Sequence, residues 1–333
     1  MSILKKENQL SSLNSIKKPV ENELKAFEPY FRKIMSSKVP LLSIITNHIY
    51  RRKGKQVRPL LVFLSAGMNG SITEATFVAA GMIELLHTAT LIHDDVVDEA
   101  NERRGSFSIN ALWRSKIAVL VGDFLLSKGL LLAIETNEFE LLRNMSHAVK
   151  EMSEGELLQI ERSRRMNIDE ETYFDIIHKK TATLIASCLV NGAVSAGAEQ
   201  AMIDKMYDYG VNLGLAFQIK DDIFDYQAKG ALGKPTGNDI KENKLTLPLI
   251  YALSRVDKVK KRRMLSQLRK SKRSQQAVEE VIRFANEYGG IEYATDRMNE
   301  YKDKAIAALK PFPESIYRDA LIDMANFVVN RKK

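Results

Sequence analysis

Two stretches place acidic side chains inside runs that are otherwise apolar. LIHDDVVDEANERRG, from Leu91 to Gly105, carries Asp94, Asp95 and Asp98 and follows them with Arg103 and Arg104. FQIKDDIFDY, from Phe217 to Tyr226, repeats the D-D-x-x-D spacing at Asp221, Asp222 and Asp225. On a helix, residues four apart share a face, so Asp94 and Asp98 stack and Asp95 flanks them. Like charges at that spacing repel, and partial burial beside Leu91, Ile92, Val96 and Val97 makes uncompensated carboxylates costly. One such cluster reads as a solvated helix end. Two with the same spacing, each following apolar helix, are expected to converge on one cavity, where divalent cations would offset the repulsion. Oxygen-only ligands suit magnesium, which binds through one or two carboxylates plus substrate phosphates. The chemistry expected is therefore capture of a diphosphate.

Basic residues complete an anion site. GKQVRP sets Lys55 and Arg58 before an apolar helix whose first turn accepts Pro59, and helix N-termini attract phosphate. Arg103 and Arg104 follow the first cluster closely. A lone basic pair is usually solvated surface; three such elements around two acidic clusters are harder to dismiss. His87 lies seven residues before Asp94, two turns along roughly the same face, although alone it would read as a hydrogen-bonded core histidine. His93 reads as structural.

The elements that must position these groups are helices. Of 333 residues, 45% are hydrophobic, ample for a large core. In ENELKAFEPYFRKIM the apolar residues Leu24, Phe27, Phe31 and Ile34 recur at spacings of three and four. No alternation of apolar and polar residues persists long enough for a sheet. Five long helices are expected, over 71–100, 116–136, 137–163, 169–198 and 201–227, several apolar on more than one face as in a large bundle. AKGALGKPTGNDIKENK, Ala228 to Lys244, reads as a functional loop rather than a boundary. The expectation is one all-α domain over residues 1–333.

The net charge of +8 is modest. It favours anionic substrates or an anionic membrane surface and does not identify nucleic acid. The single cysteine, Cys188, excludes an intramolecular disulfide framework and reads as core packing. Thr181–Ala198 is uncharged over 18 residues, but its Thr, Ser, Asn and Gly content fits a buried bundle helix better than a membrane span. MSILKKENQL shows no secretory signal, and the expected compartment is the cytoplasm.

At this point the chain resembles the trans-polyprenyl diphosphate synthase family, on GKQVRP, LIHDDVVDEANERRG, GDFLLSKG, KTATL, FQIKDDIFD and GKPTGNDIKENKLTLPLI in the family's order. The resemblance implies a helical bundle around a deep central cavity, a homodimer, and three magnesium ions per active site. It implies condensation of an allylic diphosphate, farnesyl diphosphate first, with successive isopentenyl diphosphates. By matching position, Asp94, Asp95 and Asp98 bind metal and the allylic diphosphate, with Asp221, Asp222 and Asp225 opposite. Arg103, Lys180 and Lys234 would contact the allylic diphosphate; Lys55, Arg58, His87 and Arg104 would hold isopentenyl diphosphate. Gln218 and Thr181 would line the reacting centre, and Lys244 would lie near the diphosphates. Lys53 and Asn243 stand where many relatives have glycine, and Asn tolerates left-handed backbone.

Product length is expected to be set on the helix before Asp94. The fifth residue back, Ala89, lies roughly 7.5 Å along that helix, and Thr90 follows it. In the resembling family, bulky aromatic residues there stop growth early. Two small residues imply a long product, octaprenyl as the single best expectation, suited to a quinone side chain and to transient association with a membrane surface. Leu126 and Leu130 are expected to help form the floor. A geranylgeranyl synthase, a class I terpene cyclase and a non-catalytic subunit of a heteromeric synthase are the alternatives.

Overall fold

A computed structural model describes residues 12–51, 54–98, 102–103, 106–226, 237–271 and 274–331. The first half comprises α1 (Leu13–Lys17), a 3-10 turn, α2 (Glu21–Met35), α3 (Pro40–Arg51), α4 (Val57–Asn69), α5 (Glu74–Val97), α6 (Ile109–Glu135) and α7 (Phe139–Arg165). It continues through α8 (Glu170–Ile177), α9 (Thr183–Ser195), α10 (Gln200–Asp225), α11 (Asn238–Lys241), α12 (Leu247–Ser254), α13 (Lys258–Lys270), α14 (Gln275–Glu287), α15 (Gly290–Ala308) and α16 (Ile316–Asn330). The chain is thus all-α, apart from a two-residue antiparallel ladder of β1 (Glu102–Arg103) and β2 (Ser106–Phe107). Among the described residues that ladder is a departure from the all-helical expectation, and it is too short to leave an alternating signature.

The helix starts follow local chemistry. Ser108 Oγ accepts from Ala111 N–H at 3.0 Å, and Asp169 Oδ1 accepts from Thr172 N–H at 2.9 Å, each satisfying an amide that the helix leaves unpaired. Pro59 falls in the first turn of α4, as expected. The segment expected as one helix over 169–198 is divided. α8 passes into a π-helical turn, His178–Ala182, before α9 begins. Such turns are uncommon and concentrate at functional sites.

Two apolar clusters form the core. One gathers α2, α4, α5, α6 and α9; the other gathers α8, α12, α13, α14 and α15. α10 feeds both, with Met206, Tyr209 and Leu213 in the first and Leu215, Ala216 and Ile219 in the second. α9, the uncharged stretch of the sequence, is buried against α4 and α10, and Cys188 lies fully inside. α5 and α6 are each long and apolar enough to cross a membrane. They pack along each other, but only 33% of the apolar window of α6 lies inside the bundle, against 67% for α5. Leu112, Val119, Leu120, Leu131 and Ile134 of α6 are exposed.

Candidate active site

The last turns of α10 carry the second aspartate cluster, and its three carboxylates face three different ways. Asp222 is 2% exposed; its Oδ2 accepts from the Tyr173 hydroxyl of α8 at 2.7 Å, and its Oδ1 accepts from Gln218 Nε2 at 2.9 Å. Gln218 stands four residues earlier, on the same face. Its Oε1 accepts from Thr181 Oγ1 at 2.8 Å, so a chain of hydrogen bonds runs from Tyr173 through Asp222 and Gln218 to the π-helical turn. Close approach of backbones sets this geometry. A Cβ on Gly214 would lie 2.5 Å from Ala182 Cα, and one on Gly155 of α7 would lie 2.8 Å from Lys179 Cβ.

Asp225 turns elsewhere, its Oδ2 accepting from the Asp239 amide at 2.5 Å. Asp221 faces the far end of the chain. Arg331 Nη2 donates to its Oδ1 at 2.6 Å and to the Phe217 carbonyl at 3.2 Å, and the guanidinium lies 4.1 Å from the centre of the Phe217 ring.

Two lysines share a cavity with Asp222. Lys180 donates to Gln159 Oε1 at 2.9 Å and is ion-paired with Glu156, both on α7. Lys244 pairs with Glu242 at 2.6 Å and Asp239 at 3.5 Å. With Tyr173, Thr181, Gln218, Asp222 and Asp239, both lysines line one open cavity. Burial, then the charge of Asp239, raises the Asp222 carboxyl to about 8, against the opposing bonds from Tyr173 and Gln218. Burial also raises Asp239, with Lys244 opposing. Burial alone would lower the Lys244 ammonium, but Asp239 and Glu242 outweigh it and hold the group above its ordinary value.

The structure does not gather all six carboxylates in this cavity. Asp94 and Asp98 are exposed at the C-terminal end of α5, Asp95 is 3% exposed, and none of the three lines the cavity. Among the described residues no group of three acidic, His or Cys side chains is close enough to hold a metal ion. Asp221, Asp222 and Asp225 each meet separate partners: Arg331, Tyr173 with Gln218, and the Asp239 amide. The donor set still fits a hard cation. It is oxygen only, and magnesium bound through one or two carboxylates and substrate phosphates requires no all-protein cage.

Of the expected anion-binding groups, Lys55 is exposed just ahead of α4, Arg58 is half-buried in its first turn, and His87 is 7% exposed inside α5. Arg104, Lys234 and Lys53 lie outside the described residues, as does the side chain of Arg103. Ala89 is 1% exposed, and the Thr90 hydroxyl donates back to the His87 carbonyl at 2.8 Å. Leu126 is half-buried, but Leu130 is exposed and cannot floor an interior cavity of one chain. His93 Nε2 lies 3.3 Å from the Val119 carbonyl, in keeping with a structural role. Asn243 adopts φ 60°, the left-handed backbone that its side chain tolerates.

Sequence reasoning missed Glu156, Gln159, Tyr173, Asp239 and Arg331. Glu156 and Gln159 are three apart on α7, a spacing that shares a helix face, and that signal was legible. Asp239 lies within the loop already singled out. Tyr173 and Arg331 have no local signature, because only the packing of α8 and the C-terminal helix brings them here.

Residues 39–285 match the family model described as polyprenyl synthetase. The octaprenyl diphosphate synthase of Escherichia coli (strain K12) is 36% identical over 300 residues, which are 90% of this chain and 93% of that protein. A polyprenyl synthase structure from Caulobacter crescentus CB15, complexed with calcium and isoprenyl diphosphate, superposes with a TM-score of 0.89 at 34% identity, covering 98% of this chain and 100% of that one. A geranylgeranyl pyrophosphate synthase structure from Bacteroides thetaiotaomicron superposes with a TM-score of 0.81 at 38% identity, covering 96% and 99%.

Proposed function

This chain belongs to the polyprenyl synthetase family, and we propose that within it the chain is a long-chain synthase making an all-trans product, octaprenyl diphosphate. It is a prenyltransferase that condenses an allylic diphosphate with isopentenyl diphosphate. The observation that carries the long product is Ala89, small and 1% exposed on the helix that leads to Asp94. A geranylgeranyl product is the second reading, favoured by the 38% identity to a synthase of that name.

Lys180, Arg103 and Lys234 hold the allylic diphosphate, and Lys55, Arg58, His87 and Arg104 hold isopentenyl diphosphate. Asp94, Asp95 and Asp98 on one side and Asp221, Asp222 and Asp225 on the other would hold magnesium, three ions per site, which would supply Lewis-acid stabilisation of the departing diphosphate. Thr181 and Gln218 flank the reacting carbon, and their mutual hydrogen bond fixes both side chains. Lys180 and Lys244 add positive charge where the diphosphate develops its negative charge. Glu156 and Gln159 position the Lys180 ammonium at the cavity wall. The apolar helices around the chain keep water from the allylic cation.

The chain acts as one domain over 1–333, a reading supported by α10 packing into both cores. A second copy covers the exposed apolar side of α6, giving a homodimer, and the enzyme works in the cytoplasm. The deciding experiment incubates the purified chain alone with farnesyl diphosphate, isopentenyl diphosphate and magnesium and separates the dephosphorylated products by length. An octaprenyl alcohol supports the proposal. A geranylgeranyl alcohol selects the second reading, a cyclic hydrocarbon a terpene cyclase, and no product a catalytically silent subunit.

A further inference from the structure

The chain's net charge of +8 is distributed unevenly. The 13 residues of α13 include Lys258, Lys260, Lys261, Arg262, Arg263, Arg269 and Lys270, and no acid. All seven are exposed, and only Met264 and Leu268 of this helix are buried. None of the seven is ion-paired among the described residues. The nearest acid in sequence, Asp257, is occupied at the N-terminus, accepting from the Val259 and Lys260 amides at 2.8 and 2.9 Å.

This arrangement costs stability. Lysines crowd the first turn of α13, where the helix dipole is positive, and neighbouring like charges on one helix repel. Lys260 donates to the Tyr288 hydroxyl at 3.2 Å and Arg269 to Met166, but folding gives no reason to keep the other five. The helix is about 20 Å long and lies flat on the surface. Its C-terminal end is tied to the active-site wall. Ser271 Oγ donates to the Ile240 carbonyl at 2.6 Å, next to Asp239, and Arg269 Nε reaches Met166 Sδ at 3.0 Å, where α7 ends. Val259 stands among the lysines, 77% exposed, an apolar side chain suited to a bilayer interface.

We propose that α13 is a docking surface for anionic phospholipid, which holds the cavity beside the membrane that receives its lipid product. The occupant follows from charge complementarity and from the product. Clustered Lys and Arg are attracted to acidic headgroups, and a long prenyl diphosphate leaves water for a bilayer. The inference rests on the synthase reading for its reason, while the binding itself is measured without turnover.

The test is co-sedimentation of the full chain with vesicles of pure phosphatidylcholine and with vesicles carrying about 30% phosphatidylglycerol. The wild-type chain should bind the anionic vesicles selectively and be released by high salt. The triple variant Lys258→Gln, Lys261→Gln, Arg262→Gln should bind them on the order of a hundredfold more weakly, at roughly tenfold or less per charge. The matching variant Lys258→Arg, Lys261→Arg should bind as wild type does. The Gln variant should keep wild-type turnover in detergent, which separates loss of docking from misfolding. Equal binding to both vesicle types, or wild-type affinity in the Gln variant, overturns the proposal. So does a DNA duplex that strips the chain from anionic vesicles at equal phosphate concentration. An inactive wild-type chain that still binds anionic vesicles would instead overturn the synthase reading and leave the docking surface standing.

Discussion

Tyr173 reaches Asp222 from a different helix and supplies one of its two hydrogen bonds. Partners that orient a metal-binding carboxylate usually matter nearly as much as the ligand. Tyr173→Phe should therefore raise the magnesium concentration needed for half-maximal turnover by about 10- to 100-fold, with the melting temperature little changed. Titration of activity against magnesium checks this. Asp222 has a second consequence, for stability. An unfolded aspartate titrates near 3.9, whereas burial raises this one to about 8. Protonation thus favours the folded chain. The contribution is fully present below about pH 4 and is lost as pH rises through about 8. Asp222→Asn carries no charge to bury, so in a chelator it should melt higher than wild type at about pH 9 and converge with it near pH 4. Melting curves across that range decide it, and a constant offset at every pH would refute the argument. The same variant should lose turnover by orders of magnitude.

At the scale of elements, α5 links the diphosphate end to product length. Ala89 and Thr90 sit one turn and more before Asp94 on a helix whose inner face also carries Leu86 and Ile83. Ala89→Phe should shorten the main product to geranylgeranyl length or below while leaving the first condensation largely intact. Chromatography of the dephosphorylated products reads this directly, and an unchanged product distribution would mean that the growing chain does not pass Ala89. Most elements were legible because their apolar residues recur with helical period, and α5, α6, α7 and α10 lie where that period sets them. The break between α8 and α9 was not legible. A π-helical turn adds one residue to a turn without altering composition, and HKKTA carries neither proline nor glycine. Asp222 was legible from residue type and spacing, and Lys180, Thr181 and Gln218 through the motifs that carry the family resemblance; packing brought all four to one cavity. Tyr173 and Arg331 were not, because their roles arise from contacts between distant segments.

At the scale of the molecule, α6 exposes an apolar side unlike that of an ordinary water-facing helix. Leu120 is 59% exposed and Leu131 49%. If a second copy covers this side, light scattering should give twice the chain mass. Leu120→Glu with Leu131→Glu should then yield monomers that melt lower, and wild-type melting should rise with protein concentration, since dimer stability depends on it. A monomeric wild type at micromolar concentration would refute this. The C-terminal helix bears on the site as well. Arg331, just beyond α16, holds Asp221 from within the same chain. A tethered group competes at a fixed effective concentration, which dilution cannot lower. If Asp221 holds metal as proposed, a bare cation reaching its Oδ1 would have to displace that guanidinium, whereas a cation already carrying a diphosphate would also bring anionic oxygens that can receive it. On that reading the clasp would filter the order of arrival, weakening the grip on metal alone more than on metal that arrives with its substrate.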